Sequence, residues 1–181
     1  VHDEMPEDLI IQRVKTTAEF SVIRIGKELK LDLIAVRSVS SDPKKFAKAV
    51  EVVAKNSDLP MILCSFDANV LRAGLEVTRG KRPLIYAATK DNWKDVASLA
   101  IEFNCPVTVF EPGDLSTVKS LAVTLSRSGV SGVVLDPGTA YGEGVLGPTL
   151  DRFVMLRRAA IEMGDGDVGW PLMGVPAVVW A

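Results

Sequence analysis

The sequence predicts an α/β protein with a parallel sheet, and three observations support this fold class. Short apolar, β-rich runs recur about every 23–30 residues, which is close to the length of a βα unit. Each run ends in a polar turn, and apolar residues at helical spacing follow most turns. Strands that alternate with helices in this way form parallel sheets. An open doubly wound sheet and a (β/α) barrel both fit the pattern.

The length indicates an incomplete barrel. Eight βα units take about 250 residues, whereas this chain has 181. About six strand-like runs are present, and the last, from Trp170 to Trp180, reaches the end of the printed sequence without a following helix. We therefore expect residues 1–181 to form one partial barrel domain of about six βα units with an unpaired strand edge.

The first part of the chain combines helix and strand signals. Residues 1–30 are predicted to begin with a helix, because Pro6 suits a first turn and apolar residues follow at helical spacing, and Gly26 is expected to mark a break or a close packing point. Downstream, Asp42 and Asp67 are predicted helix N-caps. The strands predicted in this half are Leu31–Val39, Met61–Cys64 and Leu84–Ala88.

The second part continues the same alternation. Helices are predicted around Trp93, from Leu115 to Leu125, and from Pro148 onward. Strands are predicted at Val107–Phe110 and Val133–Leu135. A glycine-rich loop, Gly138–Gly147, is too irregular to match a phosphate-binding fingerprint.

Composition excludes several classes of protein. Two separated cysteines and one histidine are too few for a metal cluster or a disulfide framework, which favours a reducing, cytoplasmic location. The net charge of −2 and the aromatic content of 6% argue against a nucleic-acid partner. No apolar run of about 18 residues is present, so no transmembrane helix is predicted. The net charge also gives no indication of a membrane partner.

The candidate chemistry follows the strand ends. In parallel α/β folds, functional side chains sit on the loops after the carboxyl ends of strands. Asp136, Gly138 and Thr139 follow one predicted strand, and Asn92 follows another. Asp136 is either an acid–base or ligand-binding carboxylate, or an aspartate that caps its own turn. Residue patterns alone leave both interpretations open.

Lys90 is a further candidate. It also follows a strand, where a lysine of a barrel aldolase can form a Schiff base. It precedes a helix start, however, where a solvated lysine is more usual.

Extended motifs identify a family resemblance. They are Leu31 to Arg37, Asp42-Pro43, Phe46 to Val50, Asp58 to Pro60, Leu63 to Ser65, Arg82 to Trp93, Pro112 to Leu115, Leu135 to Thr139 and Arg157 to Ile161. On these motifs the chain resembles the large (gamma) subunit of the corrinoid iron–sulfur protein of the acetyl-CoA decarbonylase/synthase complex. The resemblance covers most of the chain.

The resemblance implies a TIM barrel flanked by domains that this sequence lacks. The family's large subunit has an N-terminal four-cysteine [4Fe–4S] segment, a central barrel and a C-terminal cobalamin-binding domain. Only barrel sequence is present here, and Cys64 and Cys105 do not match the cluster ligands. We therefore expect this chain alone to hold neither the corrinoid nor the [4Fe–4S] cluster.

The resemblance also implies a function. The family's protein takes a methyl group from a methyl-tetrahydropterin onto cobalt and passes it to acetyl-CoA synthase. Its partners are the small (delta) subunit, acetyl-CoA synthase and a methyltransferase component. No catalytic or metal-ligating residue maps onto this segment, so Asp136, Gly138, Thr139 and Asn92 are predicted only as rim contacts to cofactor or partner.

An autonomous barrel enzyme is the alternative function. It would be a pterin-binding methyltransferase that uses Asp136 and Asn92, or an aldolase that uses Lys90.

Overall fold

The computed structural model describes residues 1–140 and 142–175. The chain divides into two compact units, residues 1–85 and the residues from Tyr86 onward, and each unit is described by itself. The fold is α/β as predicted. Five strands form one parallel sheet in chain order, each next to the one that precedes it.

The first unit contains three helices and two complete strands of the main sheet. In chain order these are α1 (Glu7–Glu19), β3 (Ile34–Arg37), α2 (Pro43–Asn56), β4 (Met61–Cys64) and α3 (Ala68–Val77); a hairpin of β1 (Ser21–Arg24) and β2 (Lys27–Lys30) follows α1. Both predicted N-caps are confirmed. Asp42 accepts the Lys44 amide at 2.8 Å and Asp67 accepts the Asn69 amide at 2.7 Å.

The hairpin corrects the prediction of a helical entry over residues 1–30, and its turn lies at Gly26, where a break or a close packing point is expected. The helix ends at Glu19, and β1 pairs with β2 in antiparallel register. The chain reverses at Ile25 and Gly26, which both have positive φ angles, of 49° and 73°. Glycine adopts this conformation without a steric penalty, so the turn forms where helical periodicity predicts continuation.

The first three residues run alongside β3. The Val1 nitrogen donates to the Ala35 carbonyl at 3.0 Å, and His2 forms a parallel bridge with Arg37. Asp3 is buried and accepts hydrogen bonds from the backbone and hydroxyl groups of the loop after β3. The strand itself is shorter than the predicted Leu31–Val39.

The second unit continues the alternation. Its elements are α4 (Trp93–Phe103), β6 (Val107–Phe110), α5 (Leu115–Arg127), β7 (Val133–Asp136), α6 (Leu146–Ile161) and a 3₁₀ turn (Gly166–Val168); β5 (Leu84–Ala88) spans the boundary between the units. The predicted strands match closely, except that Asp136 is the last residue of β7 rather than the first of a loop. Helix α6 begins at Leu146, two residues before the predicted Pro148.

A segment after the 3₁₀ turn pairs with β7. The Leu135 amide donates to the Pro171 carbonyl, and the Met173 amide donates to the Leu135 carbonyl, both at 2.8 Å. This parallel bridge lies where the sixth apolar run begins. The rest of that run, from Pro176, lies outside the described residues.

In each unit, strand residues are among the most deeply buried, with Val36, Leu63 and Ile85 in the first unit and Val109 and Leu135 in the second. These positions alternate with less buried ones along most strands, as expected for a sheet with two different faces. No helix among the described residues is long and apolar enough to cross a membrane.

Candidate functional site

The candidate site is the turn that closes β7, residues 136–139, hereafter the Asp136 turn. The Asp136 side chain has no exposed surface. One carboxylate oxygen, Oδ1, accepts the Gly138 amide at 2.9 Å. The other, Oδ2, accepts the hydroxyl of Tyr86 from β5 at 2.8 Å. The carboxylate thus joins the turn to β5, which lies two strands away from β7 in the sheet.

Burial raises the pKa of Asp136 above its ordinary value of 3.8. The hydrogen bonds from the Gly138 amide and the Tyr86 hydroxyl act in the opposite direction, because they stabilise the ionised form. The net shift is upward. A buried carboxylate with a raised pKa is compatible with a role in proton transfer. The same carboxylate also accepts hydrogen bonds that fix the turn.

Gly138 fits a position that a larger residue would disrupt. Its φ angle is +84°, and a Cβ atom there would lie 2.6 Å from Cβ and 2.7 Å from Cα of Pro112. The loop after β6 therefore packs directly on the turn. Two amides of that loop, those of Glu111 and Gly113, donate to the Asp136 and Pro137 carbonyls at 3.4 and 3.3 Å.

Thr139 connects the turn to the segment that pairs with β7. Its hydroxyl oxygen accepts the Val175 amide at 2.9 Å. A Cβ atom on Gly174 would lie 3.2 Å from the same oxygen, so the Thr139 side chain packs closely against Gly174. Thr139 therefore helps to hold residues 172–175 beside the turn.

Arg152 is a site residue that sequence reasoning missed. From α6, its guanidinium donates to the Pro137 and Gly138 carbonyls at 3.0 and 2.9 Å and to the Thr149 hydroxyl at 3.2 Å. Tyr86 was missed as well. A tyrosine among apolar strand residues, as at Tyr86, is only a weak indication of a site. The position of Arg152 within α6 gives no indication that its side chain reaches the turn.

Asn92 lies in the loop after β5. Its side-chain oxygen accepts the Thr89 amide at 2.7 Å, and its side-chain nitrogen donates to the Ala87 carbonyl at 3.1 Å. These bonds shape the start of α4. The structure thus brings Asp136, Gly138 and Thr139 together in one turn, while Asn92 organises a different loop.

Lys90 lacks the surroundings that activate a Schiff-base lysine. Its side chain is 65% exposed, and its ammonium lies 3.9 Å from a carboxylate oxygen of Glu111. A catalytic amine is activated by desolvation or by a neighbouring cation. The Lys90 ammonium is instead exposed to solvent and lies beside a carboxylate.

The described residues do not fit an iron–sulfur cluster. Such clusters take about four thiolates, whereas the chain has two cysteines. Burial raises the pKa of the Cys64 thiol to about 11, which keeps it protonated. Across residues 1–140 and 142–175, no three His, Cys, Asp or Glu side chains are grouped as a metal site requires.

The Asp136 carboxylate also does not present an open ligand to a corrinoid. Both of its oxygens are engaged within the fold, and the side chain is fully covered. In the loops after β6 and β7, Gly113 and Ala140 are exposed residues.

Comparisons of the sequence identify related proteins. A family model described as "CdhD: CO dehydrogenase/acetyl-CoA synthase delta subunit" matches residues 1–181. The chain is 48% identical to acetyl-CoA decarbonylase/synthase complex subunit gamma 2 of Methanosarcina mazei, over 99% of this chain and 38% of that protein. The subunit gamma of Methanothermobacter thermautotrophicus is 44% identical, over 97% of this chain and 38% of its own length. The chain thus spans about two fifths of these relatives.

Solved structures of similar fold include a dihydropteroate synthase from Thermus thermophilus. The TM-score is 0.66 at 14% sequence identity, and the match covers 99% of this chain and 74% of that one. At this identity the likeness shows the fold alone. It agrees with the five-stranded parallel sheet and confirms the predicted partial (β/α) barrel.

Proposed function

Because the chain belongs to the CO dehydrogenase/acetyl-CoA synthase delta subunit family, we propose that it is the barrel segment of a methyl-carrier subunit. The parent protein would be a corrinoid iron–sulfur protein. It would take a methyl group from methyl-tetrahydrosarcinapterin or methyl-tetrahydrofolate onto cobalt and pass it to acetyl-CoA synthase. The segment described here would act as a scaffold and docking face.

Relatives named as gamma subunits support the gamma type for the parent protein, although the family description uses the word delta. A gamma-type subunit would pair with a smaller delta subunit. Acetyl-CoA synthase and a methyltransferase component would be its other partners.

The observation that carries the proposal is the closed hydrogen bonding of the Asp136 turn. Asp136 binds Tyr86 and Gly138, and Arg152 binds two carbonyls of the same turn. The hydrogen bonds of these side chains hold the backbone of the turn in place, as a rigid docking rim requires. A catalytic carboxylate instead needs to reach the substrate from which it takes a proton.

Cobalt in the parent protein would supply the methyl-transfer chemistry. The residues of this segment would then contribute position and shape. Pro112 and Gly138 fit the loops after β6 and β7 against each other, and Thr139 holds the segment next to β7. No side chain of the Asp136 turn is assigned a proton transfer.

The second candidate is a pterin-binding methyltransferase, and the raised pKa of the buried Asp136 is the observation that favours it. A buried carboxyl group of raised pKa at a strand end is a candidate for donating or accepting a proton. The aldolase alternative is disfavoured, because Lys90 is exposed and paired with Glu111.

The test of the proposed function uses the full-length parent protein, purified without oxygen. The protein should show a cobalamin spectrum and should take up labelled methyl groups from a methyl-tetrahydropterin when the methyltransferase component is added. Adding acetyl-CoA synthase should then release the label from the parent. A parent without a corrinoid, or label uptake that persists after the corrinoid is removed, would contradict the proposal.

A control addresses the aldolase alternative. Borohydride treatment with candidate carbonyl substrates should leave Lys90 unmodified in the wild-type protein. Covalent trapping that disappears in Lys90→Met would support the aldolase instead.

A further inference from the structure

Helix α6 carries an exposed row of apolar side chains, hereafter the α6 stripe. The row consists of Leu146, Leu150, Val154 and Ile161, which are exposed to between 52% and 71%. At about 100° per residue, these four positions fall within an arc of about 80° on one side of the helix. Arg157 lies within the same arc, and the stem of an arginine side chain is apolar. A helix side that stays in water is usually polar, so the stripe calls for a covering surface.

The stripe is separate from the side on which α6 already packs. Thr149 and Leu156 are the buried residues of this helix, and they lie about 60–80° from Leu146 around the helix axis. Arg158 and Glu162 lie on the side opposite to the buried pair, where they form an ion pair at 2.9 Å. The stripe therefore occupies a flank of α6, between its buried side and its charged side.

Two contacts show which way this flank faces. Phe153, which adjoins Leu146 on the helix surface, lies 3.3 Å from the position that a Cβ atom of Gly174 would take. Gly174 follows the residues that pair with β7. On the other side of the buried pair, Arg152 donates to two carbonyls of the Asp136 turn, and that turn packs on the loop after β6. The stripe thus faces the edge of the sheet beyond β7, away from β6.

The opposite flank of α6 is connected to α5. The Asp165 amide donates to the Ala159 carbonyl of α6 at 3.0 Å, and the Asp165 carboxylate accepts Lys119 of α5 at 2.6 Å. Met155 lies toward this flank, about 140° around the helix from Leu150. Met155 is 58% exposed and Leu150 is 56% exposed. Met155 is therefore a matched apolar reference that lies outside the stripe.

The direction of the chain after α6 indicates what covers the stripe. The segment at Leu172 runs parallel to β7. In a (β/α) barrel, a parallel strand is followed by a helix that returns on the outer side, beside the preceding helix. The Methanosarcina mazei gamma subunit has room for such a helix, because the chain spans only 38% of its length. The next helix would then lie on the flank that carries the stripe.

We propose that the α6 stripe is the packing surface for the helix of the next βα unit, contributed by the same polypeptide in the full-length parent protein. The occupant is an amphipathic helix with its apolar side toward α6 and its polar side toward water. It would also hold α6 in place, and with it the bonds from Arg152 to the Asp136 turn. The inference goes beyond the proposed function, because it needs only a parent protein that continues the barrel.

Hydroxyl-radical labelling of the full-length parent protein, without other subunits, tests whether the stripe is covered. The protection of a side chain is its labelling rate in urea divided by its rate in the folded protein, which removes differences in intrinsic reactivity. Leu150 and Ile161 should be protected at least about tenfold and Met155 less than about threefold, because a close-packed interface excludes the reagent. Protection should not change on dilution.

A photocrosslinker identifies the occupant. Benzoylphenylalanine is placed at position 154, at the edge of the stripe, and at position 155 as the matched control. Illumination of the parent protein alone should join position 154 to a segment beyond residue 181 and within about 40 residues of Leu172, since a βα unit takes roughly 30 residues. Position 155 should not give this product.

Four results would overturn the inference. Leu150 is labelled as readily as Met155, its protection appears only when another subunit is added, or its protection falls on dilution, as a second copy of the chain would cause. The fourth is a crosslink from position 154 to another part of the parent protein or to another protein. Methyl transfer enters neither measurement, so these results leave the proposed function standing.

Discussion

Gly138 is the single residue on which the shape of the Asp136 turn depends most. Its positive φ angle disfavours any side chain, and a Cβ atom would overlap Pro112. Gly113 has a similar φ of +86° but no atom within 4 Å of its Cβ position. The two glycines therefore separate the conformational cost of alanine from the packing cost.

Gly113→Ala should destabilise the chain by about 1 kcal/mol, from backbone conformation alone. Gly138→Ala should cost about 1–3 kcal/mol more, because the new methyl group has to displace Pro112. Urea unfolding of both variants measures this difference. Equal losses would show that the Pro112 contact can relax.

Asp3 provides a pH-dependent contribution to stability. Burial acts to raise its pKa, but the Val39 amide and the amide and hydroxyl of Ser40, with the Ser38 hydroxyl, lower the pKa below the ordinary 3.8. A carboxyl group whose pKa is lowered by folding stabilises the protein above its unfolded pKa, and this is lost as the pH falls through the folded value.

The stability advantage of the wild type over Asp3→Asn should therefore be constant near neutral pH and shrink below about pH 4. Urea unfolding from pH 7 to pH 3 tests this prediction. Using the difference between the two proteins removes the effect of other carboxylates. An advantage that grows on acidification would mean that burial dominates and that the Asp3 pKa is raised.

The sequence predicted those site residues that follow one another in the chain, because turn-forming residues end an apolar run there. Asp136, Gly138 and Thr139 follow an apolar run and end it, and this pattern alone places them at a strand end. Tyr86 reaches Asp136 across 50 positions, and Arg152 reaches Pro137 across 15. Pairings at such separations leave no periodic signal, so the sequence did not reveal them.

At the scale of elements, the strands and capped helices were predictable, and the first 30 residues were only partly so. Apolar spacing such as Ile10 and Val14 correctly indicates α1, but the helix ends at Glu19 and not near residue 30. The Ile25-Gly26 turn was the better signal, because glycine permits the reversal of a hairpin. Helix periodicity was the wrong interpretation beyond Glu19.

Helix α6 contributes to the site through Arg152. Arg152→Met should destabilise the chain by about 1–3 kcal/mol, since two carbonyls of the Asp136 turn lose their charged donor. Arg157→Met, at an exposed position of the same helix, is the control and should stay within about 0.5 kcal/mol of wild type. Thermal unfolding distinguishes them. Similar losses would show that the bonds from Arg152 add nothing beyond a general effect of removing arginine.

At the scale of the whole chain, local sequence patterns predict the fold better than they predict the function. The alternation of strands and helices was enough to predict part of a barrel, because each βα unit is encoded locally. The same local pattern does not predict the function. The chain covers 38% of its gamma-subunit relatives, and its rim residues are engaged mainly with one another.

The central claim is that the Asp136 turn is a rigid rim and that its carboxylate transfers no proton. Single-turnover methyl transfer by the assembled full-length protein, measured beside urea unfolding, tests this directly with Asp136→Asn. Tyr86→Phe is the companion variant, because it removes only the hydroxyl bound to that carboxylate. We expect Asp136→Asn to lose about 0.5–2 kcal/mol of stability and to retain nearly all of its transfer rate. Unchanged stability with a fall in transfer of at least about 100-fold would contradict the claim and identify Asp136 as an acid–base catalyst.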